Sequence, residues 1–385
     1  MSKRICIVTG SRAEYGLLKP LINELRSYNH FKVDVVVTGS HFESRYGNTI
    51  SMIEDDGVEI NARIVPSFPT TSHGDIVKAM SAMLLGFNDY LDSTCPDIVL
   101  FLGDRYELLV IASAATIHRI PIGHIHGGEL TIGAFDDSIR NALTKLSHLH
   151  FTSHPEYSKR VIQMGERPSR VHCVGALAFD SIKNSKKMTK SELEASLGVR
   201  FESRILIVTL HPETLRPGST ESNVACLLKA IESESDTSLI FTGANADPEG
   251  DKINRMFQDF TSTKVNAHFV PSLGSDNYYS LLNLCDGVVG NSSSGIIESP
   301  FFGKPAVNIG ERQRGRVQGE NVVNCSFSLK DIKSALEQIK DPNFLKLCST
   351  FVNPYERGST SKQISSIIQS LEWKALLQKE FCDLA

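Results

Sequence analysis

The stretch Asp97-Ile98-Val99-Leu100-Phe101-Leu102-Gly103-Asp104-Arg105 constrains this chain more than any other. Five consecutive apolar residues, β-branched and aromatic among them, stop at a glycine and an opposed pair of charges. A strand with one wet face alternates apolar and polar residues. A strand that is apolar at every position has both faces covered, the condition of a parallel sheet sandwiched by helices. The same signal recurs at residues 4–9, 33–38, 121–125 and 149–153, with helical periodicity at 15–27, 76–91, 106–118 and 137–147 between. Strands and helices in strict alternation predict a doubly wound α/β domain.

The rhythm pauses after Gly175. Residues 183–200 are polar and lysine-rich with no strand signal, and a second series then begins: strands at 204–210, 238–242, 268–270, 287–289 and 306–309, helices at 220–234, 251–260, 276–284, 294–302 and 329–339. A last helix, from about 360 to 379, has no strand after it and must dock on a domain already built. A chain of 385 residues is long enough for two cores. The expected organisation is an N-terminal Rossmann-like lobe at 1–178, a second at 179–358 that holds a nucleotide, and a C-terminal helix at 359–385 crossing back to the first lobe, with a central cleft.

Composition removes several classes of function. Lys and Arg number 40 against 44 Asp and Glu, a net charge of −4, so there is no cation excess to neutralise a nucleic-acid backbone. No run approaches the ~18 apolar residues of a membrane span, and the short apolar run behind Lys3-Arg4 is no signal peptide, so the expected compartment is the cytoplasm. The eight cysteines stand singly, without zinc-ligand spacing. Gly10 is followed by Ser11-Arg12-Ala13-Glu14, not the second glycine of a dinucleotide fingerprint, and neither a P-loop nor a Gly-x-Ser-x-Gly elbow occurs.

In open α/β sheets ligands bind beyond the carboxyl ends of the strands, and polar clusters fall there repeatedly. Gly10-Ser11-Arg12-Ala13-Glu14 opens a helix with a small-residue turn and a guanidinium, either an anion site or a solvated turn. Asp104-Arg105 follows the central strand, as a helix cap with its ion pair or as working charges. His124 and His126 are expected on one strand face, where the bland reading is structural and a metal pair lacks its third ligand. Glu129, freed by Gly127-Gly128, precedes Asp136 and Asp137 at a helix start; one acid is explained by capping, whereas converging carboxylates suit proton transfer. In the second series His211 precedes Pro212, which holds it off the helical conformation and toward a diphosphate. Ser292, Ser293 and Ser294 open a helix between glycines, a natural diphosphate cradle, and Arg312, Arg314 and Arg316 supply three cations in five residues.

Carboxylates in one lobe and phosphate-friendly groups in the other suit an enzyme acting on a nucleotide-linked sugar. The motifs Gly10-Ser11-Arg12-Ala13-Glu14-Tyr15-Gly16, Gly103-Asp104-Arg105-Tyr106-Glu107, His124-Ile125-His126-Gly127-Gly128-Glu129, Asp136-Asp137-Ser138-Ile139-Arg140, His211-Pro212, Gly290-Asn291-Ser292-Ser293-Ser294-Gly295 and Gly319-Glu320-Asn321 resemble, in that order, those of the hydrolysing UDP-N-acetylglucosamine 2-epimerases of sialic-acid and legionaminic-acid biosynthesis. The resemblance implies the two-lobed GT-B fold, no cofactor and no metal, and a homodimer or homotetramer. It implies nucleotide-sugar contacts from Arg12, Arg105, His211, Asn245, Ser292, Ser293, Glu298 and Arg312, with Glu298 at the ribose. The implied acid–base set is Asp104, Glu129, Asp136 and Asp137, with His211 helping the leaving group.

The implied reaction takes UDP-N-acetylglucosamine and water to N-acetylmannosamine and UDP. The C2 proton of the sugar is not acidic, so departure of the diphosphate from C1 must lead; a carboxylate then takes the proton, water adds to the resulting glycal at C1, and a proton returns to C2 from the other face. The alternatives are a hydrolysing 2-epimerase of a UDP- or GDP-linked 2,4-diacetamido-2,4,6-trideoxyglucose, a GT-B glycosyltransferase, which needs an acceptor groove, and a non-catalytic sensor that binds without turnover.

Overall fold

The computed structural model describes residues 2–43, 49–68, 70, 72–132, 134–213, 218–244 and 249–383. They form two compact units, one of Met1–Glu129, Asp136–Ser181 and Tyr355–Ala385, the other of Leu130–Phe135 and Ile182–Pro354. In chain order the first carries β1 (Lys3–Thr9), α1 (Arg12–Arg26), β2 (Phe31–Val37), α2 (Thr49–Asp55), β3 (Ala62–Arg63), α3 (His73–Thr94), β4 (Ile98–Leu102), α4 (Tyr106–Ile117), β5 (Ile122–Ile125), α5 (Asp136–Leu146), β6 (Leu149–Thr152), α6 (Pro155–Gln163), β7 (Val171–Cys173) and α7 (Ala178–Asn184), whose later residues belong to the second unit. The second unit continues with α8 (Lys190–Leu197), β8 (Arg204–Thr209), α9 (Thr220–Ile231), β9 (Thr237–Thr242), α10 (Gly250–Ser262), β10 (Ala267–Val270), α11 (Gly274–Leu284), β11 (Gly287–Gly290), α12 (Ser294–Ile297), β12 (Ala306–Ile309), β13 (Val322–Cys325), α13 (Leu329–Gln338) and α14 (Pro342–Thr350). The chain closes with α15 (Thr360–Gln369) in the first unit.

Both sheets are parallel, in the orders β3-β2-β1-β4-β5-β6-β7 and β10-β9-β8-β11-β12-β13. In the central strands residues alternate between two buried faces, which explains the unbroken apolar runs Ile5–Val8 and Ile98–Leu102. Ile5 and Ile7 pack with Leu18, Leu21 and Ile22 of α1 and with Ile364 and Ile368 of α15. Cys6 and Val8 turn to Met83 and Phe87 of α3 and Ile111 of α4. Each such side chain contributes about 1.5–3 kcal/mol relative to exposure, so a helix from the distant C-terminus is drawn onto the first unit as the sequence predicts.

Three differences from the sequence reading have physical causes. The last helix stops at Gln369 because the tail beyond it is held by side chains instead: Arg170 donates to the carbonyls of Ala375, Leu376 and Gln378, and Lys379 to that of Lys145 at 2.6 Å. The polar stretch after 183 contains α8, a helix set by a capping box in which Thr189 and Glu192 satisfy each other's backbone N–H. The helix expected at 294–302 is one α-turn followed by a 3₁₀ turn at Ser299–Phe302, since Pro300 has no N–H to continue the ladder. The cysteines are free, with Cys6, Cys285 and Cys348 buried, and among the described residues no helix is long and apolar enough to cross a membrane.

In each sheet the strand order reverses once, between β1 and β4 and between β8 and β11. A crevice opens outside the strand ends at such a switch point.

Candidate functional site

In the first unit the switch point is bordered by the turn after β1 and the turn after β4. Ser11 caps α1 by accepting the Glu14 N–H at 3.3 Å, and the Glu14 carboxylate turns back to accept the Gly10 N–H at 2.7 Å. The turn presents Arg12, which is half-buried and has no hydrogen-bond or ion-pair partner among the described residues. Burial lowers its pKa, so a bound anion would relieve a real desolvation cost.

After β4, Gly103 takes a left-handed backbone, φ 94°, that turns Asp104 away from the strand axis. His124 on β5 meets the Gly103 carbonyl at 2.7 Å through Nε2. Burial pulls this histidine down to about 3, so it is the neutral Nε2–H tautomer that donates. Arg140, buried on α5, donates to the Asp104 carboxylate and, at 2.7 Å, to the carbonyl of His126. Its Nη1 lies 3.9 Å from Glu129 Oε2. Glu129, itself buried, accepts from the Ser153 hydroxyl at 2.6 Å and stands 3.3 Å from His126 Nδ1. Asp104 and Glu129 therefore share one buried cation. Asp136 and Asp137 occupy the first turn of the helix that carries it, where the free N–H groups favour negative charge.

The histidine pair does not share a strand face. β5 ends at Ile125, and His126 adopts φ 66°, so the alternation on which the expectation rested is already over. His124 serves the Asp104 turn and His126 serves Glu129. Arg105 donates through Nε to Glu107 at 3.0 Å.

In the second unit β8 pairs with β11 up to Thr209 and Gly290. A Cβ on Gly290 would lie 1.8 Å from the Thr209 carbonyl, so only glycine fits, at φ 134°. The closeness lets Asn291 grip the other strand end: its Oδ1 accepts the His211 N–H at 2.7 Å and its Nδ2 donates to the His211 carbonyl at 2.9 Å. The Asn291 carbonyl in turn accepts from Arg312 Nη1 at 3.2 Å and Gln313 Nε2 at 2.9 Å. Thus His211, Asn291 and Arg312 are brought together. Ser292 accepts the Ser294 N–H at 3.3 Å, and the Ser293 hydroxyl has no partner among the described residues. Glu298 receives Tyr279 at 3.5 Å; desolvation raises its pKa, and hydrogen bonds from Ser294 and Tyr279 offset part of the rise. Arg314 pairs with Glu311 in solvent, and Arg316 donates to the Leu130 carbonyl at 2.9 Å. Asn245 lies outside the described residues.

Sequence reasoning gave no role to Arg140, Ser153, Asn291 or Gln313. The spacing of Arg140 four residues after Asp136, one turn on along the same helix face, was the available signal for the first. The grips of Ser153, Asn291 and Gln313 are long-range contacts with no local pattern.

A family model described as UDP-N-acetylglucosamine 2-epimerase matches residues 23–369. The GDP/UDP-N,N'-diacetylbacillosamine 2-epimerase (hydrolyzing) of Campylobacter jejuni is 38% identical, over 100% of this chain and 100% of its own. The polysialic acid biosynthesis protein P7 of Escherichia coli is also 38% identical, over 99% of this chain and 98% of its own. Among solved structures, that of the UDP-GlcNAc 2-epimerase from Neisseria meningitidis bound to UDP-GlcNAc matches with a TM-score of 0.79 at 20% identity, covering 96% of this chain and 100% of the other. The fold is the two-lobed α/β type termed GT-B.

Proposed function

The chain belongs to the UDP-N-acetylglucosamine 2-epimerase family, and from that premise we propose that it is a hydrolysing 2-epimerase converting UDP-N-acetylglucosamine and water to N-acetylmannosamine and UDP. The observation that carries the chemistry is the buried Arg140 joined to both Asp104 and Glu129. The shared guanidinium holds two carboxyl groups close together, the arrangement that proton removal and proton return at one carbon require.

In this reading the diphosphate takes Arg12, Arg105, His211, Ser292, Ser293 and Arg312, with Asn245 beside them, and Glu298 takes the ribose. Their donors stabilise charge as the C1–O bond to UDP breaks. Glu129 removes the C2 proton, and the electron pair of that bond becomes the C1–C2 double bond of the glycal. Water then adds, its hydroxyl to C1, while an acid among Asp104, Asp136 and Asp137 returns a proton to the opposite face of C2 and a carboxylate of the same set takes up the proton the water releases. Each proton transfer assisted in this way is worth roughly 10²–10⁴-fold.

A second reading is favoured by the name of the Campylobacter relative: the same elimination on a UDP- or GDP-linked 2,4-diacetamido-2,4,6-trideoxyglucose. The test is product analysis with each nucleotide sugar in turn. Free UDP plus free N-acetylmannosamine from UDP-N-acetylglucosamine supports the first reading, and turnover of the diacetamido sugar alone supports the second. A nucleotide-linked manno product would overturn hydrolysis in both.

A further inference from the structure

Two buried carboxyl groups, Glu14 and Glu107, have no part in the reaction above. Glu14 is 6% exposed and Glu107 fully buried. They stand on α1 and α4, the helices that follow the two strands at the first unit's switch point. Glu107 Oε1 accepts from Arg105 and Glu14 Oε2 from the Gly10 N–H. The remaining oxygens, Glu14 Oε1 and Glu107 Oε2, have no hydrogen-bond partner among the described residues. The backbone is cut back to admit these acids: a Cβ on Gly10 would lie 2.4 Å from Glu107 Oε1, and one on Gly39 2.8 Å from the same atom.

Two buried anions served by one arginine would leave net negative charge directly beneath a turn proposed to hold a diphosphate. The charged groups facing Glu14 are Glu107 from α4 and Arg105 and Asp104 from the turn before it. The segment after β2 presents the Gly39 backbone, and its His41 is engaged by Thr9 and Thr49. We propose that Glu14 keeps a proton beside the buried Glu107 carboxyl and acts as a positioning residue, and that this couple fixes the turn at residues 10–12 and the Arg105 guanidinium for anion binding. Neither acid touches the substrate. Burial first, and Glu107 second, raise Glu14 to about 8, outweighing Arg105 and the Gly10 N–H.

The proton is tested without ligand, by thermal unfolding of the wild type and Glu14→Gln from pH 5 to pH 9. Glutamine copies the shape of a neutral acid and cannot titrate. A carboxyl raised on folding keeps a proton that the unfolded chain releases, so wild-type stability falls as pH rises between the two pKa values. The midpoint of Glu14→Gln minus that of the wild type should therefore increase from pH 5 to about pH 8 and then level. A difference independent of pH overturns the proton on Glu14. Should the variant fail to fold, carbon-13 NMR of the wild-type glutamate carboxyls reads the same event as one group titrating near pH 8.

The positioning role rests on the proposed function and is tested by calorimetric titration with UDP. Wild-type affinity should fall about tenfold per pH unit above pH 8 and stay flat for Glu14→Gln. Equal pH dependence in both proteins overturns the positioning role. Absence of UDP binding at every pH overturns the functional reading, with the unfolding result still deciding the pair.

Discussion

The guanidinium of Arg140, on α5, donates to the carboxylate of Asp104 in the turn after β4, 36 residues earlier in the chain. With its other arm on the His126 carbonyl, it also fixes the backbone that leads into Glu129. Removing this cation takes the charge partner from the buried Glu129 and the half-buried Asp104, which costs up to about 3–5 kcal/mol. Arg140→Met, similar in bulk, should lose that much in urea denaturation and lower turnover by at least ~10²-fold. Arg140→Lys keeps the charge but loses the two-armed fork, so it should recover most of the stability and little of the rate. Identical losses in the two variants would show that the fork geometry is not what matters.

The central strands were legible in the sequence because burial on both faces leaves an unbroken apolar run, Ile5–Val8 in β1 and all five residues of β4. Short edge elements were not: β3 has two residues and β7 three, too few to show any period. The strand-end acids and donors were legible because turns concentrate them, whereas Arg140 and Asn291 matter through what they reach across the fold. His126 shows the opposite failure, in which a correct local rule was carried one residue past the end of its strand.

Asn291 supports the second unit's cluster as Arg140 supports the first. It is fully buried and satisfies both backbone groups of His211. Asn291→Ala strands a buried N–H and a buried C=O, at about 1–3 kcal/mol each. Asn291→Asp keeps the acceptor for the N–H but sets a carboxylate against the carbonyl. Both variants should weaken UDP binding by about tenfold or more, measured calorimetrically. The binding loss should exceed any change in the rate of the chemical step under saturating substrate.

His124 makes a prediction about acid stability. Its ordinary value of 6.5 falls to about 3 in the folded protein, chiefly through burial. Between these values the unfolded chain binds a proton that the folded chain refuses, so this histidine's contribution is complete above pH 6.5 and is lost as pH falls. The slope is at most ~1.4 kcal/mol per pH unit. His124→Gln keeps a donor for the Gly103 carbonyl and cannot titrate. Its urea-denaturation stability relative to wild type should rise by about 2 kcal/mol between pH 6.5 and pH 5. An unchanged difference would mean that His124 is protonated in the folded state.

The last prediction concerns the direction of proton flow. Inversion at C2 requires breaking C2–H and delivering a proton to the other face, and the groups gathered around Arg140 are carboxylates, which exchange protons with solvent. Turnover in deuterated water should therefore place one deuterium at C2 of the released manno sugar, read by mass spectrometry and proton NMR. Glu129, the proposed base, is held by the Ser153 hydroxyl on Oε1 and by Arg140 beside Oε2. Glu129→Gln preserves the shape and removes the base, so turnover should fall by roughly 10²-fold or more. UDP affinity should stay within about threefold of wild type, because the donors assigned to the diphosphate are untouched and this shift amounts to less than ~1 kcal/mol. A product without deuterium at C2 would place the hydrogen transfer inside a shielded cycle, and a near-normal rate in Glu129→Gln would move the base to Asp104.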